Sequence, residues 1–150
     1  TVKLWNNQLK LIGTLKHPKG VWTVRFSPID KVVVTGCNDG KIRIFSLNTL
    51  TCLKTFEGHT SPVLRCEFIN AGMQIISGDA DGIVKLWAIK NNSCLETFDV
   101  HSDRIWGMAI AEDGKFIITG GEDAKVNVWS ENTKEIMEEE IKISDENVIR

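Results

Sequence analysis

The sequence predicts an all-β fold: about three and a half four-stranded antiparallel blades, a segment of a β-propeller whose ring is incomplete. Three observations predict it. Polar and aromatic residues recur at a fixed step of 42 along the 150-residue chain. The apolar residues between them alternate as strands do, not at helical spacing. Gly, Asp and Asn cluster where tight turns would join those strands.

Four columns carry the step. They are His17, His59, His101; Thr35, Ser77, Thr119; Asp39, Asp81, Asp123; and Phe45, Trp87, Trp129. Each His precedes its Asp by 22 residues, and each Asp its aromatic by 6. The apolar columns keep the same frame. Val21, Val63 and Ile105 align, as do Val24, Cys66 and Met108, then Phe26, Phe68 and Ile110. The pairs Val33-Val34, Ile75-Ile76 and Ile117-Ile118 align, and so do Ile42-x-Ile44, Val84-x-Leu86 and Val126-x-Val128.

The units follow in order. Residues 1–16 hold the last two strands of one blade, because Thr1-Val2-Lys3-Leu4-Trp5 repeats the phrase that ends at Trp87. A blade spans 17–58, a second 59–100 and a third 101–140, its fourth strand falling near Lys134–Glu140. Ser27-Pro28-Ile29-Asp30 and Glu112-Asp113-Gly114 are turns, while Asn38-Asp39-Gly40 and Asp81-Gly82 are hairpins in which Gly accepts a positive φ. The next His is due at position 143, where Ile143 stands, so the frame ends and 141–150 reads as an acidic exit linker. The opening unit lacks its first strands, so the chain reads as an excerpt of a longer protein.

Composition narrows the function. Eighteen Lys and Arg against twenty Asp and Glu leave −2, which excludes holding nucleic acid by bulk charge. The imbalance is local: residues 131–150 carry seven acids and three bases. No apolar run approaches the roughly 20 residues of a membrane span. No secretory signal opens the chain, and no membrane partner is expected. Cys37, Cys52, Cys66 and Cys94 form no C-x-x-C and stand by no His pair, so reduced thiols are expected, with no metal and no cofactor.

Three short motifs are decoys. Asp79-Ala80-Asp81-Gly82 faintly resembles a calcium loop but lacks the Glu that should follow. Asn91-Asn92-Ser93 matches a glycosylation sequon without a secretory context, and Thr119-Gly120-Gly121 precedes no helix that would bind phosphate. A single His, Ser and Asp set would suggest a hydrolase. Three copies, one per unit, argue for architecture, so no enzyme is expected.

A His…Ser/Thr…Asp…Trp frame of this period resembles the WD-repeat family. In that family the four residues form a buried hydrogen-bonded chain. By position, the resemblance implies His17–Thr35–Asp39, closed by Phe45 without an N–H. It likewise implies His59–Ser77–Asp81–Trp87 and His101–Thr119–Asp123–Trp129. The family's Trp-Asp pair is missing: Asn6, Ser46, Ala88 and Ser130 follow the aromatics. The resemblance also implies a partner-binding rim at the central channel. Its residues here are Trp22, Leu64 and Trp106, with Asn38, Arg104 and Glu122 beside them. The competing reading packs the tryptophans between blades.

Longer phrases are more specific. They are Lys19-Gly20-Val21-Trp22, Leu53-Lys54-Thr55-Phe56-Glu57-Gly58-His59, Arg65-Cys66-Glu67-Phe68-Ile69-Asn70, Ala80–Trp87 and Asp103-Arg104-Ile105-Trp106, before a Glu-rich exit. In this order they resemble the transducin beta-like protein 3 family, U3 small nucleolar RNA-associated WD-repeat proteins of the small-subunit processome. That resemblance implies a nuclear, nucleolar scaffold for 18S rRNA maturation. Its expected partners are other WD-repeat and processome proteins, with contact to pre-rRNA or U3 small nucleolar RNA. The alternative is a WD-repeat adaptor of another pathway, such as ubiquitin-linked peptide recognition. A phosphopeptide reader would need an arginine cluster, and only Arg104 occupies the rim. Because so short a chain cannot close a ring, the isolated chain is expected to self-associate through its end blades.

Overall fold

A computed structural model describes residues 1–130, and no helix occurs among them. Thirteen strands form four antiparallel sheets. The first sheet pairs β1 (Val2–Trp5) with β2 (Leu11–Leu15). The second runs β3 (Val21–Phe26), β4 (Val32–Cys37), β5 (Ile42–Ser46), β6 (Cys52–Phe56). The third runs β7 (Val63–Ile69), β8 (Gln74–Asp79), β9 (Ile83–Ala88), β10 (Ser93–Asp99). The fourth holds β11 (Ile105–Ile110), β12 (Ile117–Gly121) and β13 (Val126–Trp129). This is a partial β-propeller: sheets of sequence neighbours joined by short turns, stacked face to face. The strand expected near Lys134–Glu140 and the linker at 141–150 lie outside the described residues.

The core lies between sheets. Successive strand residues point to opposite faces, so the paired apolar columns serve two interfaces at once. Val33 packs with Leu15 and Phe45 toward the first sheet, and Val34 with Phe56, Ile75 and Trp87 toward the third. Ile75 and Ile76 divide in the same way, Ile76 joining Val84 and Ile105. The last pair shows what happens without a second neighbour. Ile117 packs against the third sheet, while Ile118 is 42% exposed. At the opposite end Val24 and Phe26 are exposed, although Cys66 and Phe68 in the same columns pack into the core. A cavity of about 660 Å³ opens there, between β1 and β3.

Each inner strand carries a β-bulge at the same place. Register shifts between Val21 and Thr23, Val63 and Arg65, and Ile105 and Gly107. The skipped residues are Trp22, Leu64 and Trp106. A bulged residue leaves the ladder, and its side chain is re-aimed.

Candidate functional site

The buried polar chain is most complete in the second blade. Trp87 Nε1–H donates to Ser77 Oγ at 2.8 Å, and Ser77 Oγ lies 2.6 Å from His59 Nε2. His59 Nδ1 lies 2.7 Å from Asp79 Oδ2. A carboxylate only accepts, so Nδ1 carries the proton and the Ser77 hydroxyl donates to Nε2. The donations then run one way, from indole to hydroxyl to imidazole to carboxylate. Ser77, His59 and Asp79 are all buried, so this Ser–His–Asp set presents no nucleophile to solvent. It acts as a strut.

The carboxylate there is Asp79, a correction to the expected Asp81. Asp79 ends β8 and is buried; its Oδ1 also accepts the Asp81 and Ile83 amides, at 2.9 and 3.0 Å. It fills the hole first, and the Asp81 side chain is left exposed. Both Asp79 oxygens are engaged by the protein, which explains how a calcium-like motif serves as a hairpin.

The third blade places its residues as the frame implies. Trp129 Nε1–H donates to Thr119 Oγ1 at 3.2 Å, Thr119 Oγ1 lies 3.0 Å from His101 Nε2, and His101 Nδ1 lies 3.0 Å from Asp123 Oδ1. The first blade differs. His17 Nε2 meets Thr35 Oγ1 at 2.9 Å, but Nδ1 turns to the Leu15 carbonyl at 3.1 Å. Asp39, expected on His17, instead pairs with Arg43 through both carboxylate oxygens, at 2.6 and 3.3 Å. The fork of a guanidinium matches a carboxylate better than one imidazole N–H does. Phe45 packs its ring 4.8 Å from His17 and donates nothing.

These pairings set a direction for acid stability. Burial alone would raise the Asp39 carboxyl, but the Arg43 guanidinium and the Lys41 amide outweigh it and hold it down at about 2. Burial likewise opposes, and the His59 and His101 bonds with nearby backbone amides overcome, in lowering Asp79 and Asp123. Burial lowers His17 below the usual imidazole range. In every case the unfolded chain takes up protons before the folded one. Stability is therefore complete above about pH 6.5, erodes slightly below it, and is lost mainly as pH falls from about 4 toward 2. Urea midpoints measured across that range should fall most steeply below pH 4; a midpoint that rises on acidification would contradict this.

The second group is the rim. In each blade a backbone bond ties the inner strand to the β-hairpin: Asn38 N–H to Gly20 O at 2.8 Å, Ala80 N–H to Pro62 O at 3.0 Å, Glu122 N–H to Arg104 O at 2.8 Å. That bond brings the bulged residue beside the hairpin residue. Trp22 Nε1–H donates to Asn38 Oδ1 at 3.1 Å, and Trp106 Nε1–H donates to Glu122 Oε2. Where the bulge holds Leu64, its partner column holds Ala80 and needs no acceptor. Trp22 and Trp106 are 48% and 38% exposed and meet edge to face at 6.2 Å. Asn38, Arg104 and Glu122 are exposed beside them. Leu64 is not part of the open rim: it is only 2% exposed, because β3 and β11 both pack against its strand β7. Sequence reasoning missed Asp79 and Arg43. For Arg43 the signal was present, a cation four residues after Asp39.

The four cysteines are free thiols, and burial pushes Cys66 up to about 12. Among the described residues no group of three His, Cys, Asp or Glu is placed to hold a metal ion.

Comparison with known proteins adds the family. A 49-residue stretch, 33% of the chain, is 39% identical to a probable E3 ubiquitin ligase complex SCF subunit sconB of Penicillium rubens. A 71-residue stretch, 47% of the chain, is 28% identical to a periodic tryptophan protein 2 homolog of Caenorhabditis elegans. A third, 62 residues and 40% of the chain, is 36% identical to nuclear distribution protein PAC1 of Candida tropicalis. The matches span only 7%, 8% and 13% of those proteins. The model of the WD domain, G-beta repeat, matches residues 9–46, 50–88 and 92–130. Each matched stretch starts at the outer strand of one sheet and ends in the third strand of the next, so each repeat staples two blades. With well over half of its length matched, the chain belongs to the WD domain, G-beta repeat family.

Proposed function

We propose that the chain belongs to a non-catalytic scaffold of ribosome biogenesis, acting in the nucleolus within the U3 small-subunit processome. Its rim, at Trp22, Asn38, Arg104, Trp106 and Glu122, binds partner proteins, and pre-rRNA or U3 small nucleolar RNA is contacted within that assembly. The observation that carries this is the ordered set of phrases from Lys19–Trp22 to Asp103–Trp106, which extends beyond the residues a blade requires. The enclosed Ser77–His59–Asp79 chain supports a structural use of the polar residues. Self-association of the isolated chain, through exposed Phe26, Ile118 and Val126, is proposed with it; a monomer by light scattering contradicts that part.

The test is affinity purification of the full-length parent protein from its own cells, with U3 small nucleolar RNA and pre-rRNA quantified against a mock control. Strong enrichment is expected. A second reading, a ubiquitin-pathway adaptor, is favoured by the 39% identity to the fungal ligase subunit. Recovery of ubiquitin-ligase subunits without U3 would replace the first reading with the second.

A further inference from the structure

We propose that the Trp22–Trp106 face takes a cationic side chain, arginine or lysine, from an extended segment of a protein partner. This rests on reading the rim as an interaction surface and names the chemistry of what it binds. The two bulges place the indoles side by side, edge to face at 6.2 Å, with large parts of both rings exposed. Exposed tryptophans are common interface anchors.

The hydrogen bonding decides the sign of the ligand. An anion at an indole pair would need the indole N–H donors. Here both are already spent, one on Asn38 Oδ1 and the other on Glu122 Oε2. What the face still offers are ring surfaces, whose quadrupole attracts cations, and the Glu122 carboxylate. Of the cations near the two indoles, Arg104 lies 3.7 Å from the Asp103 carboxylate and Arg25 pairs with Glu67 at 2.6 Å, while Arg65 is turned to the Leu64 carbonyl at 2.7 Å. Asp81, released from the buried chain by Asp79, adds an exposed carboxylate on the equivalent hairpin of the middle blade.

The experiment is fluorescence anisotropy with a fluorescein-labelled peptide, Gly-Arg-Gly-Lys-Gly-Arg-Gly, added to the full chain. Controls are the same peptide with Glu replacing each base, and labelled oligouridylate. The basic peptide alone should bind saturably. Glu122→Gln, which keeps an acceptor for Trp106 but removes the charge, should weaken binding about tenfold, as should Trp106→Leu. Leu already stands in this column at Leu64, so the fold should tolerate it, and an unchanged melting temperature checks that. Preferential binding of oligouridylate or the acidic peptide overturns the proposal, as does basic-peptide binding indifferent to both substitutions. The purification with U3 quantification separates the two readings. U3 enrichment without peptide binding removes only this inference; peptide binding without U3 removes only the processome.

Discussion

Asp79→Ala should destabilise the chain by about 3–5 kcal/mol, while Asp81→Ala should change stability by no more than about 0.5 kcal/mol. Removing the Asp79 carboxylate strands three buried or half-buried donors: His59 Nδ1–H and the Asp81 and Ile83 amides. Each unsatisfied donor costs about 1–3 kcal/mol, less where water can reach it. The loss should propagate, because His59 orients the Ser77 hydroxyl that accepts the Trp87 indole. Asp79→Asn keeps a carbonyl acceptor and should fall between the two. Urea unfolding midpoints decide the matter. A larger loss at Asp81 would mean that the repeat frame, and not the buried position at the end of β8, selects the carboxylate.

Gly82→Ala should be still more damaging, at about 4 kcal/mol or more. Gly82 has φ +83° and its carbonyl accepts the Val100 and His101 amides, both at 3.1 Å, from the start of the next blade. A methyl group at Gly82 would overlap the His101 carbonyl, so backbone must move on one side of the joint. Gly114→Ala is the control. Gly114 also has a positive φ, +72°, but open space surrounds its absent side chain. It should lose only the conformational share, about 1 kcal/mol. Equal losses at the two sites would show that the joint is loose. Gly40, at φ +80°, repeats this crowding: a methyl group there would sit 2.9 Å from the His59 carbonyl oxygen. The same column holds Ala124 at φ +62°, where no further sheet among the described residues packs against the turn. The glycine is needed where a carbonyl of the next unit crowds the turn, as at Gly40 and Gly82.

Much of this was legible in the chain. The step of 42 predicts repeated antiparallel units, antiparallel sheets recur in the structure, and the apolar pairs Val33-Val34 and Ile75-Ile76 fall in that frame. Burial of Val33, Val34, Ile75 and Ile76 follows from that pattern. His101, Thr119, Asp123 and Trp129 meet in the chain that the resemblance to the WD-repeat family implies.

By itself the sequence determined the all-β class and the antiparallel strands and turns of each unit, since these follow from local periodicity and turn chemistry. Tertiary structure alone decided which of two carboxylates two residues apart reaches His59, and that Asp39 goes to Arg43. Chain spacing puts both alternatives within reach, so the choice falls to burial and to hydrogen-bond geometry. The same holds for the rim. Trp22, Leu64 and Trp106 are equivalent in sequence and alike in their bulges, yet Leu64 is buried because its strand has a neighbour on each side. Exposure is a property of what packs against a residue, and a repeat makes its columns equivalent without making their neighbours so.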